Sequence, residues 1–105
     1  MARWFQYNIR NYKTTIQRGA GVYFFTFVDG ETTKPLYIGA TIHLRERIPF
    51  QLRRFKNRPG LRVRYKVFEQ RPGQPEYEFR ATIRDLESRL IRRLQPIENK
   101  TGVTC

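Results

Sequence analysis

The sequence has a single cysteine, Cys105, so no disulfide can form within the chain and no cysteine-based zinc site can be assembled. Histidine, methionine and tryptophan also occur once each, at His43, Met1 and Trp4. One histidine removes the multi-histidine metal centres from consideration. No apolar stretch approaches the length of a membrane span, and Met1–Gln6 lacks the apolar centre of a secretory signal. These absences predict a soluble, cytoplasmic protein with no membrane partner. Repeats and low-complexity segments are missing too, and 105 residues suffice for one domain with a modest core. Acidic residues are the scarcest class relative to their counterparts, at 9 Asp and Glu against 21 Lys and Arg, a formal charge of +12. Such an excess favours a polyanionic partner, nucleic acid ahead of an acidic membrane or acidic protein. Much of it is arginine, whose planar fork suits phosphate.

The patterning is that of a mixed α/β chain. Residues 1–18 read as an N-terminal extension that can add a strand, with Phe5, Tyr7 and Ile9 alternating between basic residues. A breaker at Gly19-Ala20-Gly21 precedes a β-branched and aromatic run, Val22 to Val28, typical of a central strand. Asp29-Gly30 is a turn dipeptide, and Leu36-Tyr37-Ile38 returns as the antiparallel partner. From Thr41 to Ile48 the spacing is helical, with Thr41 as a cap and a break expected at Pro49 before a further turn or two to Phe55. Leu61 to Phe68 alternates Val63, Tyr65 and Val67 with Arg62, Arg64 and Lys66, a strand with one buried and one basic face. Glu76 to Leu94 is the longest periodic segment, carrying a stripe of Phe79, Ile83, Leu86, Leu90 and Leu94, and Gln95-Pro96 ends it.

One residue of that helix is out of place. Glu87 falls within the apolar arc between Ile83 and Ile91, where a charge is costly unless compensated, and only Arg84 is spaced to pair with it. Read structurally, it is a core-border residue held by an arginine. Read chemically, it is a carboxylate facing a cleft.

Five elements then occur in order: Gly21-Val22-Tyr23, Tyr37-Ile38-Gly39, Arg47 in the helix that follows, Glu87 in the long helix, and Asn99 after Pro96. In that order the chain resembles the GIY-YIG nuclease family over roughly residues 19–100. The resemblance implies a three-stranded antiparallel central sheet flanked by helices, with residues 19–105 forming a catalytic domain. It implies a metal-dependent endonuclease that hydrolyses phosphodiester bonds, in DNA first and RNA second, leaving a 5′-phosphate and a 3′-hydroxyl. Carried over residue by residue, it makes Glu87 the protein ligand of one Mg²⁺ or Mn²⁺ ion. Tyr23 becomes a general base or an acceptor that orients the attacking water, Tyr37 a second hydroxyl at the same centre, and Arg47 the group that holds the scissile phosphate. Gly21, Gly39 and Asn99 support the geometry. Two positions depart from the family pattern: Ala40 stands where a polar or basic residue is frequent, and Gln51 where many members have a histidine or tyrosine one turn after the arginine. His43 is the one histidine available as a substitute helper.

A phosphate-tracking surface is expected from Arg45, Arg53, Arg54, Lys56 and Arg58 together with Arg62, Arg64 and Lys66. With no further domain apparent, specificity would come from substrate structure, a partner protein or an oligomer. The alternatives are a non-catalytic nucleic-acid-binding module on the same scaffold, or an adaptor whose basic face meets an acidic protein.

Overall fold

Alternation of apolar and polar residues builds the sheet. In the computed structural model, which describes residues 4–7 and 16–99, four strands pair antiparallel: β1 (Trp4–Tyr7), β2 (Ala20–Asp29), β3 (Thr32–Thr41) and β4 (Arg62–Phe68), in the spatial order β1-β4-β2-β3. Helix α1 (Leu44–Phe55) follows β3, and α2 (Glu76–Leu94) follows β4. The chain is therefore an α+β fold, and the sheet has four strands rather than the three expected. The additional strand is β1, from the N-terminal extension, whose Trp4 and Phe5 pair with Lys66 and Tyr65. Ile9, read as part of the same alternation, and Thr101–Cys105 lie outside the described residues.

The two helices cover opposite faces. Because side chains alternate along a strand, Tyr23, Phe25, Phe27, Val63 and Tyr65 share one face and pack with Leu44, Ile48 and Phe55 of α1. Ala20, Val22 and Ile38 share the other face and pack with Phe79 and Ile83 of α2. Helix α2 sits chiefly over β3 and β2. Its bounds match the periodic segment: acidic Glu76 and Glu78 lie in the first turn and basic Arg92 and Arg93 in the last, complementing the helix dipole. It ends at Gln95, which adopts the left-handed conformation with its N–H donated to the Ile91 carbonyl at 2.8 Å.

Three local expectations are corrected. Strand β3 begins at Thr32, well before Leu36, because pairing with β2 carries the polar residues Thr32, Thr33 and Lys34. Pro35 is tolerated because β3 is an edge strand. The register shifts between Phe25 and Thr26, which pair with Tyr37 and Pro35, so Leu36 is an inserted residue that sends both itself and Tyr37 to the α1 face. Helix α1 runs unbroken through Pro49 to Phe55; burial of Leu44, Ile48, Gln51 and Phe55 on one side outweighs the N–H that proline lacks. Thr41, finally, belongs to β3: its hydroxyl accepts the His43 N–H at 2.9 Å within the turn, and His43 takes the N-cap position without a capping side chain.

The outer edge of β3 is closed by the segment after α2. Ile97 and Glu98 donate their N–H groups to the Pro35 and Leu36 carbonyls at 3.4 and 2.9 Å. Asn99 then pairs with both backbone groups of Ile38, its Oδ1 accepting the Ile38 N–H at 2.7 Å and its Nδ2 donating to the Ile38 carbonyl at 2.9 Å. Among the described residues no helix is long and apolar enough to cross a membrane.

Candidate active site

The two glycines of the opening tripeptides have separate steric reasons. Tyr23 and Gly39 face each other across β2 and β3, and the Tyr23 phenol lies over Gly39 where a Cβ would stand. A Cβ on Gly21 would instead meet the Lys66 carbonyl oxygen in β4. One glycine seats a side chain; the other admits a neighbouring backbone.

Tyr23 is fully buried, 1% exposed, at the centre of a cluster on the α1 face. Its ring centroid lies 6.1 Å from Tyr37 and 5.8 Å from Phe25. Burial pushes its pKa far above the ordinary phenol value; the neighbouring Tyr37 adds to this, while the Arg47 charge and the Gln51 side chain oppose it. The phenol therefore keeps its proton at neutral pH. Arg47 is exposed on α1, with its guanidinium 5.9 Å from the Phe50 ring centroid. Tyr37 is half-buried between Phe55, at 5.5 Å, and the Arg54 guanidinium, also at 5.5 Å.

Gln51, marked in the sequence only as a departure from the family pattern, joins this cluster. The unbroken helix returns it to the side of Arg47, four residues earlier, and buries it to 6% exposure against Tyr23. Its Oε1 has no hydrogen-bond partner. The spacing from Arg47 was the available signal, and the expected break at Pro49 hid it.

Glu87 reaches the same end of β3 from α2, on the other face. Ile38 turns its backbone groups outward to Asn99, so the Ala40 N–H, two residues on, also points to the open edge. The half-buried Glu87 carboxylate is directed at that amide. Burial raises its pKa above the usual glutamate value; the Ala40 N–H and the Arg84 charge pull it back in part. Glu87 thus borders the core near an arginine and faces the Ala40 amide at a strand edge.

The predicted basic surface is divided. Arg45 donates its Nε–H to the Ile16 carbonyl at 2.8 Å and ties down the approach to β2. Arg53 and Lys56 are exposed at the end of α1, Arg54 stacks on Tyr37 and Phe55, and Arg58 lies 5.2 Å from the Phe27 ring centroid and 3.9 Å from Glu98. Arg62, Arg64 and Lys66 project from the opposite face of the sheet, because they alternate with Val63 and Tyr65 of the α1-side core. His43 is exposed at the head of α1.

The phenol makes a direct prediction. In an alkaline titration followed by phenolate absorbance, Tyr23 should ionise well above the ordinary phenol range. Since its folded-state pKa is raised, its stabilising contribution is full below the unfolded-state pKa and is lost as pH rises from there through the folded-state pKa. Tyr23→Phe should remove one late-titrating group; an unchanged late amplitude would contradict the assignment.

Among the described residues there is no cluster of three or more His, Cys, Asp or Glu side chains to hold a metal ion. A single carboxylate still suits Mg²⁺, which retains several waters and takes few protein ligands. No family model, curated protein or solved structure matches the chain.

Proposed function

We propose that this chain is a GIY-YIG-type endonuclease that hydrolyses nucleic-acid phosphodiester bonds with one Mg²⁺ or Mn²⁺ ion, acting on DNA first. The observation that carries the reading is the adjacency of Gly39 and Ala40 on β3: the Tyr23 phenol rests over the first on the α1 face, and the Glu87 carboxylate reaches the amide of the second at the open edge from the α2 side. The net charge of +12 supports a polyanionic substrate. Arg47, exposed and close enough to act on the Tyr23 phenol, holds the scissile phosphate and offsets charge developing on it. Tyr23, kept neutral by burial, serves as a hydrogen-bonding group that orients the attacking water, a better match to its surroundings than a general base. Tyr37 extends the same hydrogen-bonding row toward solvent. Glu87 would hold the metal ion, which when bound supplies Lewis-acid polarisation of the phosphate oxygen.

A second reading is a nucleic-acid-binding module without cleavage. It is favoured by Glu87 already satisfying the Ala40 amide and by a phenol that stays protonated. One assay separates the two. Supercoiled, branched and single-stranded DNA, and RNA, are incubated with Mg²⁺, Mn²⁺ or EDTA. Cleavage with 5′-phosphate and 3′-hydroxyl ends, absent in EDTA and reduced about a hundredfold or more in Arg47→Ala, supports the enzyme. Retained binding with no cleavage of any substrate supports the module, and cleavage that persists in EDTA overturns the metal dependence.

A further inference from the structure

We propose that the half of the sheet left open on the side away from Tyr23 and Tyr37 is a separate binding surface for single-stranded nucleic acid, with Trp4 as its stacking platform. This goes beyond the cleavage proposed above and does not require it.

The surface follows from topology. Helix α2 packs chiefly over β3 and β2, while β4 and β1 lie beyond β2 in the sheet. On the α2 side of these outer strands the register brings Lys66 beside Trp4 and Arg64 beside Gln6, with Arg64 also opposite Phe24 and Arg62 opposite Thr26 in β2. None of these neighbours is acidic. Arg62 and Arg64 are exposed and form no ion pair with any described residue. Elsewhere the chain does pair its arginines, Arg80 with Glu76 and Arg89 with Asp85 at 2.9 Å each. Three cations on alternate residues of one strand face repel one another, and among the described residues no ion pair offsets that at Arg62 or Arg64. A bound polyanion supplies the counter-charge.

The aromatic component selects the form of the polyanion. Trp4 is half-buried and meets Phe24 edge-on, with centroids 6.4 Å apart and planes at 69°. The Lys66 ammonium sits 5.0 Å from the centroid of the Trp4 ring. An aromatic ring on a sheet beside a row of cations fits bases splayed from their backbone, which a duplex does not present. Alternate residues of a strand are about 6.6 Å apart, so Arg62, Arg64 and Lys66 form a regular track along which an extended strand can run its phosphates.

Trp4 is the only tryptophan, so intrinsic fluorescence reports this face alone. Oligothymidylate and oligouridylate, titrated separately in EDTA, should quench it saturably, and the more effective of the two names the favoured sugar. Since each single-strand phosphate contact contributes about 0.7 to the log–log salt slope, Arg62→Gln/Arg64→Gln should lower that slope by about 1.4. The pair Arg80→Gln/Arg89→Gln, on α2, whose charges are already paired with Glu76 and Asp85, should leave quenching intact. Thermal melting verifies that both double variants remain folded. Four results would overturn the proposal: no binding of either oligonucleotide, binding seen by anisotropy of a labelled oligonucleotide without quenching, an unchanged slope in the Arg62/Arg64 variant, or tighter quenching by a blunt duplex.

Discussion

Glu87→Gln should retain the stability of the parent chain and lose cleavage by about three orders of magnitude or more, the scale of several kcal/mol of metal-derived stabilisation. Glu87→Ala should lose the same activity and, in addition, stability. The glutamine carbonyl still accepts the Ala40 N–H that Glu87 faces, whereas alanine leaves an edge amide without its partner at a cost of about 1–3 kcal/mol. Comparing the two by chemical denaturation and by plasmid cleavage therefore separates the carboxylate's charge from its role at the strand edge. Equal activity in Glu87→Gln and the parent would end the metal-ligand assignment. The pH dependence gives a further check. Burial raises the folded-state pKa of Glu87 above its ordinary 4.5, so its contribution to stability is full below that value and is lost as pH rises through the folded-state pKa. Glu87→Gln should flatten that part of the stability profile. Metal affinity should run in the opposite direction, increasing as the carboxyl ionises.

The second large effect is expected at the glycines. Gly21→Ala would set a Cβ against the Lys66 carbonyl oxygen and 3.1 Å from Leu44 Cδ1. Lys66 pairs with Val22 in the β2–β4 ladder and Leu44 is fully buried, so neither can retreat. A loss of about 3 kcal/mol or more follows, which lowers the melting temperature by about 12 °C or more in a domain of this size. Gly39→Ala collides instead with the Tyr23 ring, a side chain wedged between Phe25 and Tyr37. Its cost should be smaller, about 1–3 kcal/mol, but it displaces the phenol and should abolish activity in protein that remains folded. Gly30→Ala is the comparison: nothing lies within 4 Å, and only its φ of +66° resists, at about 1–2 kcal/mol. If Gly21→Ala melts no lower than Gly30→Ala, the packing of β2 on β4 differs from that described.

Periodicity made the long helix and the fourth strand legible, because their patterns are sustained over many residues. It failed at β3, where Thr32–Lys34 carry no apolar signal and are held by pairing with β2. It failed again at Pro49, where a local rule about proline yielded to the buried side of α1. Alternation correctly grouped Arg62, Arg64 and Lys66 on one face. It could not say which face each helix would cover, so their separation from Arg53 and Arg54 emerged only with the topology. Of the candidate site, Tyr23, Tyr37 and Arg47 are drawn together on the α1 side and Glu87 arrives at the next residue along β3 from the other side. Gln51 stood in the sequence as a departure from the family pattern, and only its burial was illegible, because nothing in a lone glutamine marks it as buried. Asn99 makes a double hydrogen bond to the Ile38 backbone at the edge of β3, a contact that no local sequence pattern announces.

That double bond, with the contacts of Ile97 and Glu98 to Pro35 and Leu36, also bears on solubility. A bare edge strand is a template for pairing with another chain, and β3 is one of the two edges of this sheet. The segment after α2 occupies the outward backbone groups from Pro35 to Ile38, and Glu87 faces the next amide. Cleavage of the chain after Leu94 would bare that row of groups and turn β3 into a site for strand-to-strand aggregation.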